Sequence, residues 1–225
     1  MMRQEALYNA SKDIHIDLKH EMLNGNLLDI GLSNYGVIYN LYKQRNKDLS
    51  VEYISGREEK SYIEKGSYDN CIMLFSLSNI WLKASRKNLL KDVYQFLKQD
   101  GIIYIWDIDK NYWKHFKKRI KVSLPEADSK VIHVTDLNIL KDSTLKSAVK
   151  LIEQYFEIID LDSHDNVYYI KAKKRSENAE LAARLNTDLK GSTEVENYFS
   201  GNKFKVRSQQ FSCKILERIH KRLKI

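Results

Sequence analysis

Side chains that can accept or donate a proton follow one apolar run near the middle of the sequence. Asp107 and Asp109 follow the run IIYIW at 102–106, and His115 lies eight residues after Asp107. A carboxylate or an imidazole in such a place can act as a general base. Asp107 and His115 are therefore candidates for catalysis, and Tyr112 and Trp113 between them are candidates to line a substrate pocket. A plain loop acid, a solvated histidine and a lid packed on the core are the simpler interpretations.

Positive charge is concentrated in two segments of a chain whose net charge is +8. Residues 110–121 hold six Lys/Arg and no acid, and residues 203–225 hold eight Lys/Arg against Glu217 alone. In the first segment, aromatic residues alternate with cations, a mixture that binds phosphates and stacks on bases. The candidate anion-binding side chains there are Lys117, Lys118 and Arg119. The second segment predicts an amphipathic helix that either docks on the domain or joins the first segment in one face for nucleic acid.

A second set of residues suits the binding of a cofactor. The apolar run LLDI at 27–30 ends at Gly31, and helical spacing of apolar residues returns over 35–45. A sharp turn from a strand into a helix favours glycine, because a Cβ blocks the approach of a ligand and makes a positive φ unfavourable. Asp29 can accept hydrogen bonds either from a cofactor or from neighbouring backbone N–H groups.

The elements that must position these residues alternate between strands and helices. The apolar patterns predict strands at 27–30, 51–54, 71–75 and 102–106, and helices at 13–23, 35–45, 86–98 and 145–156. Two further β-rich runs, 157–161 and 167–172, predict a hairpin. This alternation predicts an α/β fold with a Rossmann-like, doubly wound, mainly parallel sheet and a C-terminal antiparallel hairpin strand. We expect seven strands, with the third short or missing near 62–63.

The same patterns divide the chain into three regions. Residues 1–25 are expected to be an N-terminal helical segment and residues 26–175 an α/β domain. Residues 176–225 are expected to form a basic helical extension, because leucines recur at four-residue spacing over 176–190 and apolar residues do so over 211–223.

Composition argues against several classes of protein. The six histidines show no metal-binding spacing, so no metal is expected, and two cysteines argue against a disulfide framework. No apolar run approaches the roughly 18 residues that span a bilayer. The first residues lack the apolar stretch of a secretory signal. We therefore expect a cytoplasmic protein.

Three stretches, in this order, resemble the class I S-adenosylmethionine-dependent methyltransferases over roughly residues 13–174. Residues 26–36 are similar to the family's strand that ends in an acid and turns through glycines into a helix. Residues 68–80 resemble its fourth strand and the following loop. Residues 88–103 are similar to its "LL…LKPGG" passage from helix to strand, and the hairpin matches its sixth and seventh strands.

The resemblance implies S-adenosylmethionine as cofactor and a set of residues that bind it. That set is Asp29, Gly31, Ser33, Gly36, Ser55, Leu74 and Phe75. Ser33 and Tyr35 occupy the second and third glycine positions of the family's Gly-x-Gly-x-Gly pattern, so the glycine-rich motif is degenerate. Ser55 lies near the position of the family's ribose-binding acid.

The favoured function is methyl transfer to an acceptor that is a small or anionic molecule. Two alternatives stay open: a non-catalytic methyltransferase-fold protein that binds a partner, and a nucleic-acid-binding or nucleic-acid-modifying protein that uses the basic segments. Residues 74–79 lack the family's Asp/Asn-Pro-Pro-aromatic motif, which disfavours methylation of an exocyclic amine. The chain has no Pro-Cys pair, which disfavours methylation of cytosine C5. The oligomeric state stays open.

Overall fold

A computed structural model describes residues 13–18, 23–31, 36–45, 51–54, 63–123 and 129–176, all within the first of two units, Met1–Glu180 and Leu181–Ile225. The described strands are β1 (Ile14–Asp17), β2 (Leu27–Ile30), β3 (Val51–Ile54), β4 (Tyr68–Leu74), β5 (Leu97–Ile108), β6 (Phe116–Ser123), β7 (Lys130–Asp136), β8 (Phe156–His164) and β9 (Val167–Lys174). The described helices are α1 (Val37–Arg45), α2 (Lys83–Phe96) and α3 (Leu145–Ile152).

The main sheet has the strand order β3-β2-β4-β5-β9-β8. Its first four strands pair in parallel, with Leu28 opposite Cys71 and Cys71 opposite Ile103. β9 runs antiparallel to both of its neighbours. The central strands are continuous apolar runs because both faces of a parallel sheet are covered. The α/β alternation predicted from sequence is therefore confirmed.

Helices α2 and α3 cover one face of the main sheet. Leu90 of α2 and Leu151 of α3 belong to the same buried cluster as Met73 and Ile105 of the central strands. Helix α3 begins after Thr144, whose Oγ1 accepts a hydrogen bond of 3.2 Å from the backbone N–H of Ser147. Such a cap satisfies a donor that the first helical turn leaves unpaired.

A second, three-stranded sheet of order β1-β6-β7 shares the opposite face with α1. Ile16 of β1, Ile120 of β6 and Ile38 of α1 belong to one buried cluster with Ile72 and Tyr104 of the main sheet. The small sheet therefore covers part of the surface that a helix covers in a regular doubly wound fold.

The predicted helix over 13–23 is wrong, because residues 14–17 form strand β1. Ile14, Ile16 and Leu18 are buried while His15 and Asp17 are exposed, which is the two-residue period of a strand. The four-residue spacing of Ile14 and Leu18 fits both periods, so it did not distinguish a strand from a helix. Pairing of β1 with β6, with Ile14 opposite Ile120, favours the strand.

The basic segment 110–121 is also more ordered than a solvated loop. Its second half belongs to β6, which pairs antiparallel with β7. Phe116 and Ile120 are buried, and the cations between them face outward or lie half-buried.

Among the described residues the main sheet has six strands rather than seven. Ile63, at the predicted third strand, is not in a strand, and Tyr62 lies outside the described residues. The predicted helices over 176–190 and 211–223 also lie outside them. None of the described helices combines the length and the apolar character needed to cross a membrane.

Replacing Ile120 with alanine tests whether the small sheet is part of the main core. Ile120 is fully buried in the cluster that joins the two sheets. Ile120→Ala should lower the free energy of unfolding by about 2–5 kcal/mol, because it removes buried methyl groups and leaves a cavity. Denaturant unfolding measures this.

Val131→Ala is the matched control, since Val131 is half exposed on β7 of the same sheet. It should change the free energy of unfolding by no more than about 0.5 kcal/mol. Equal effects of the two substitutions would mean that the small sheet does not pack as described.

Candidate functional site

The carboxyl ends of the central parallel strands meet at one edge of the main sheet. From β2 the chain passes to β3 on one side and returns to β4 on the other. In open α/β sheets this reversal of strand order opens a crevice beyond the carboxyl ends of the strands, where ligands bind. In this sheet the corresponding position lies beyond Ile30 and Leu74, next to Asp29, Gly31 and Phe75.

Asp29 is completely buried in β2 beneath the start of α1. Its Oδ2 accepts a hydrogen bond of 2.9 Å from the backbone N–H of Tyr39 in the first turn of the helix. Within the part of the chain that the structure describes, no donor reaches Oδ1. Burial raises the pKa of Asp29 to about 7, and the Tyr39 N–H only partly opposes this. Asp29 thus holds α1 against the strand and keeps one buried oxygen for a further donor.

The turn between β2 and α1 uses the two glycines that the sequence indicates. Gly31 is buried directly after β2, and Gly36 has a φ of 62° immediately before α1. A positive φ favours glycine over residues with a side chain. The backbone N–H of Asn40 donates to the Gly36 oxygen at 2.9 Å and begins the helix. Ser33 and Ser55 lie outside the described residues.

Beyond β4 the chain makes a tight, buried bend. Leu74 and Phe75 are both buried, and Phe75 has a φ of 54°, which is rare for a bulky residue. Its N–H donates to the Trp106 oxygen at 2.7 Å. The Oγ of Ser76 hydrogen-bonds the Ile30 oxygen and so joins the ends of β4 and β2. Backbone strain of this kind is retained where surrounding contacts fix the conformation, often at binding sites.

Asp107 is buried behind this bend and does not reach solvent. Its Oδ2 accepts the Ser78 N–H at 2.9 Å, and its Oδ1 accepts the Ile108 N–H at 2.7 Å. Burial raises the pKa of Asp107, and these hydrogen bonds and the Arg86 charge oppose the rise. Because both carboxylate oxygens accept backbone hydrogen bonds, Asp107 positions the loop after β4. The described geometry gives the Asp107 carboxylate no direct access to a methyl acceptor.

A cleft of about 520 Å³ lies beside the carboxyl end of β5. It brings together four side chains named from sequence, Trp113, His115, Lys117 and Lys118. The full lining is Asp109, Lys110, Trp113, Lys114, His115, Phe116, Lys117, Lys118 and Asn166. The cleft combines one exposed indole, one imidazole and several ammonium groups, which suits an anionic ligand with a planar part.

Asp109, the one carboxylate of this cleft, is engaged in holding the fold. Its Oδ1 accepts the N–H of Leu145 at the start of α3 at 3.1 Å, and its Oδ2 accepts from the Ser163 hydroxyl at 3.0 Å. An acid at a helix N-terminus is stabilised by the orphan N–H groups there. Asp109 therefore ties β5, α3 and β8 together at the wall of the cleft.

A buried group of charges holds the loops around the cleft. Asp136 Oδ2 lies 2.7 Å from Lys141 Nζ and 3.2 Å from Lys110 Nζ, and all three side chains are nearly inaccessible. Lys110 Nζ also donates to the Asn138 oxygen at 2.6 Å, and Lys141 Nζ donates to the Ser78 oxygen. Burial acts to raise the pKa of Asp136, but Lys141 and the Asn138 N–H outweigh it and hold the pKa below its usual value.

Arg119, an anion-binding candidate, and Tyr112, a substrate-pocket candidate, both lie away from the cleft. Arg119 forms a two-point ion pair with Asp13, with nitrogen–oxygen distances of 2.6 and 2.7 Å. Tyr112 instead lines a smaller cavity of about 190 Å³ with Trp81 and Leu140. Residues of the basic segment 110–121 therefore lie in three places: the cleft, the ion pair with Asp13 and the smaller cavity. The alternation of side chains in β6 and the turn before β6 cause this division.

Sequence reasoning missed the structural acid Asp109 as a helix cap and the whole group around Asp136. No local sequence pattern distinguishes a buried lysine from a solvated one, so the burial of Lys110 and Lys141 could not be predicted from the sequence. Asp109 had no such pattern either, because the preference for Asp at a helix start concerns the residue next to the helix, and Asp109 lies 36 residues before Leu145. Among the described residues, no group of three or more His, Cys, Asp or Glu side chains is placed to hold a metal.

Comparison with known proteins finds similar structures but no similar sequences. No protein-family model and no curated protein matches the chain. The PH0226 protein from Pyrococcus horikoshii is 15% identical at a TM-score of 0.46, over 70% of this chain and 85% of that one. An S-adenosylmethionine-dependent methyltransferase from Methanosarcina mazei is 15% identical at a TM-score of 0.46, over 69% and 95%. Another, from Clostridium acetobutylicum, is 12% identical at a TM-score of 0.43, over 78% and 89%.

Replacing Asp29 with asparagine tests the burial of its carboxyl group. In the unfolded chain the group titrates near 3.8, and in the folded chain near 7. Between these values the folded state keeps a proton that the unfolded state has lost, so the free energy of unfolding falls as pH rises. Asp29→Asn should remove this fall, and its stability relative to the parent should grow from about pH 4 to about pH 8, by at most about 4 kcal/mol.

Urea unfolding of both proteins across this range measures the effect. Asp69→Asn is the control, because Asp69 is half exposed and its pKa is lowered by the neighbouring Lys98. Parallel pH profiles for Asp29→Asn and the parent would contradict the burial described for Asp29.

Proposed function

We propose that this chain is an S-adenosylmethionine-dependent methyltransferase. The observation that carries the proposal is the strand order β3-β2-β4-β5-β9-β8 with a single antiparallel strand, β9. In open α/β sheets such an order supports ligand binding at the carboxyl ends of the strands, here those of β2 and β4. Asp29, Gly31 and Phe75, which the resemblance to class I methyltransferases had singled out, lie next to these ends.

The described residues at the crevice fit such a cofactor. Gly31 and Gly36 place no Cβ in the turn, and the start of α1 supplies backbone N–H groups. Asp29 offers a buried oxygen that no described donor reaches. We assign the binding of the cofactor to Asp29, Gly31, Gly36, Leu74 and Phe75, with Ser33 and Ser55 added by the resemblance. When bound, S-adenosylmethionine supplies a methyl group on a sulfonium, which is the electrophile of the reaction.

We assign the acceptor to the cleft of about 520 Å³ beside β5. Lys117 and Lys118 favour a small anionic molecule, and Trp113 can stack on a planar part of it. Methyl transfer needs little covalent help from the protein, because most of the acceleration comes from holding donor and acceptor in line. This chain contributes that positioning through the loops that follow β4 and β5.

His115 is the better candidate for a general base. It is exposed and lines the cleft, whereas Asp107 is buried with both oxygens accepting backbone N–H groups. A base is needed only where the acceptor must lose a proton. His115 can then take that proton at an imidazole nitrogen.

Calorimetric titration with S-adenosylmethionine and with S-adenosylhomocysteine tests the proposal. We expect both to bind at a ratio of one per chain. Gly31→Val should abolish the binding, because a β-branched side chain fills the turn at the crevice. A ligand at a hundredfold excess over its dissociation constant should also stabilise the folded parent by about 2.7 kcal/mol.

Lys98→Ala is the control, since Lys98 pairs with Asp69 at the amino-terminal edge of the sheet, away from the crevice. It should bind both ligands like the parent. No heat of binding and no stabilisation in a folded parent would contradict the proposal and favour the non-catalytic binding protein.

A further inference from the structure

Large apolar side chains are exposed on three segments that follow β4, β5 and β7. They are between 41% and 75% exposed, with Trp113 at the upper limit. We call them the apolar loop face: Trp81, Tyr112, Trp113, Leu137, Ile139 and Leu140. Single exposed apolar residues are ordinary, but a contiguous group marks an interaction site.

Contacts between the segments make this group contiguous. Trp81, Tyr112 and Leu140 line the same small cavity of about 190 Å³, although they come from three different segments. The N–H of Trp113 donates to the Ile139 oxygen at 2.7 Å and joins two of the segments directly. Trp81, Tyr112 and Leu140 therefore share one surface. Trp113 is joined to Ile139 through the backbone, and Leu137 belongs to the same segment as Ile139 and Leu140.

The backbone holds these side chains outward. Trp113 has a φ of 64°, a left-handed conformation that is unfavourable for a bulky residue and is retained only where its surroundings enforce it. Behind it, the ion pairs of Asp136 with Lys110 and Lys141 fix the segments to one another. The indole is thus held in water by a backbone that contacts on its inner side keep in place.

The exposed charge around the apolar loop face is mostly positive. Of the nine Lys/Arg in residues 79–87, 110–119 and 137–141, Arg86, Lys110 and Lys141 are buried, and Asp142 lines the small cavity. Lys83, Lys87 and Lys114 are exposed among them. An anionic partner therefore complements these exposed lysines.

We propose that the apolar loop face docks this protein on an anionic lipid surface. Trp and Tyr side chains prefer the boundary between lipid headgroups and acyl chains, and exposed Lys side chains are drawn to anionic headgroups. Leu137, Ile139 and Leu140 favour lipid over nucleic acid as the partner. Aliphatic side chains contribute binding free energy when they insert among acyl chains, and they contribute nothing to base stacking. The docking needs no methyl donor, although it shares Trp113 and Lys114 with the cleft that the proposed function assigns to the acceptor.

Flotation of the full chain with lipid vesicles tests this proposal. We expect binding to vesicles of equal parts phosphatidylcholine and phosphatidylglycerol, little binding to phosphatidylcholine alone, and a loss of binding as salt is raised. Trp113→Asn keeps a residue that tolerates a positive φ and removes the indole. Trp113→Asn and Leu140→Ser should each lower the vesicle partition coefficient about tenfold. Lys114→Ala should lower it about fivefold.

Two control variants address fold and charge. Ile159→Ser removes an apolar side chain that is 54% exposed on β8, and Lys98→Ala removes a cation at the amino-terminal edge of the main sheet. Both should bind vesicles like the parent, and circular dichroism should show that every variant is folded.

Three outcomes would overturn the proposal. In the first, the parent does not bind anionic vesicles at low salt. In the second, the loop-face variants bind the vesicles as the parent does, which would assign binding to the basic segment 203–225. In the third outcome, a single-stranded RNA competes with vesicles for binding to the parent. If Trp113→Asn also weakens RNA binding more than it weakens vesicle binding, the face is a nucleic-acid surface.

Discussion

Two lysines and an aspartate, buried together behind the carboxyl edge of the main sheet, are the constraint on which the surrounding loops depend. Removing such groups from water costs several kcal/mol per ion, and the pairing persists only where geometry and further hydrogen bonds offset this. Here Asp136 lies between Lys110 and Lys141, whose remaining donors are directed at the Asn138 and Ser78 oxygens. The segments after β4, β5 and β7 are consequently held as one unit.

The same principle recurs at two other buried carboxylates of this edge. Asp29 ties the start of α1 to β2, and Asp107 ties the loop after β4 to the end of β5. In each case a backbone N–H replaces the cation as the partner, and burial raises the pKa of the carboxyl group. These hydrogen bonds fix the start of α1 and the loop after β4 to the strands, and such positioning is what holding two reactants in line requires.

The sequence predicted the main sheet well, because its central strands are continuous apolar runs bounded by glycines and amphipathic helices. It failed for β1, whose apolar residues fit two periods at once, and for the small sheet, whose β6 is hidden in a basic segment. Among site residues, the glycines of the turn were predictable because their backbone role leaves a local signal. Asp107 was named for catalysis, yet the described geometry gives it a positioning role, since exposure depends on tertiary packing that no local pattern records.

The small sheet also explains why the basic segment does not act as one patch. Alternation in β6 buries Phe116 and Ile120, and the ion pair with Asp13 takes Arg119 to another side. Only the part of the segment next to β5 lines the cleft. Cations that are adjacent in sequence are therefore divided between a cleft, an ion pair and a buried charge group.

The proposed function requires that a methyl donor binds between the carboxyl ends of β2 and β4. Hydrogen exchange followed by mass spectrometry, with and without S-adenosylhomocysteine, tests it most directly. We predict slower exchange in peptides that cover residues 29–40 and 74–80, and unchanged exchange at the opposite edge over residues 63–69. Protection spread evenly over the domain, protection confined to the opposite edge, or no protection at a saturating ligand concentration would contradict it.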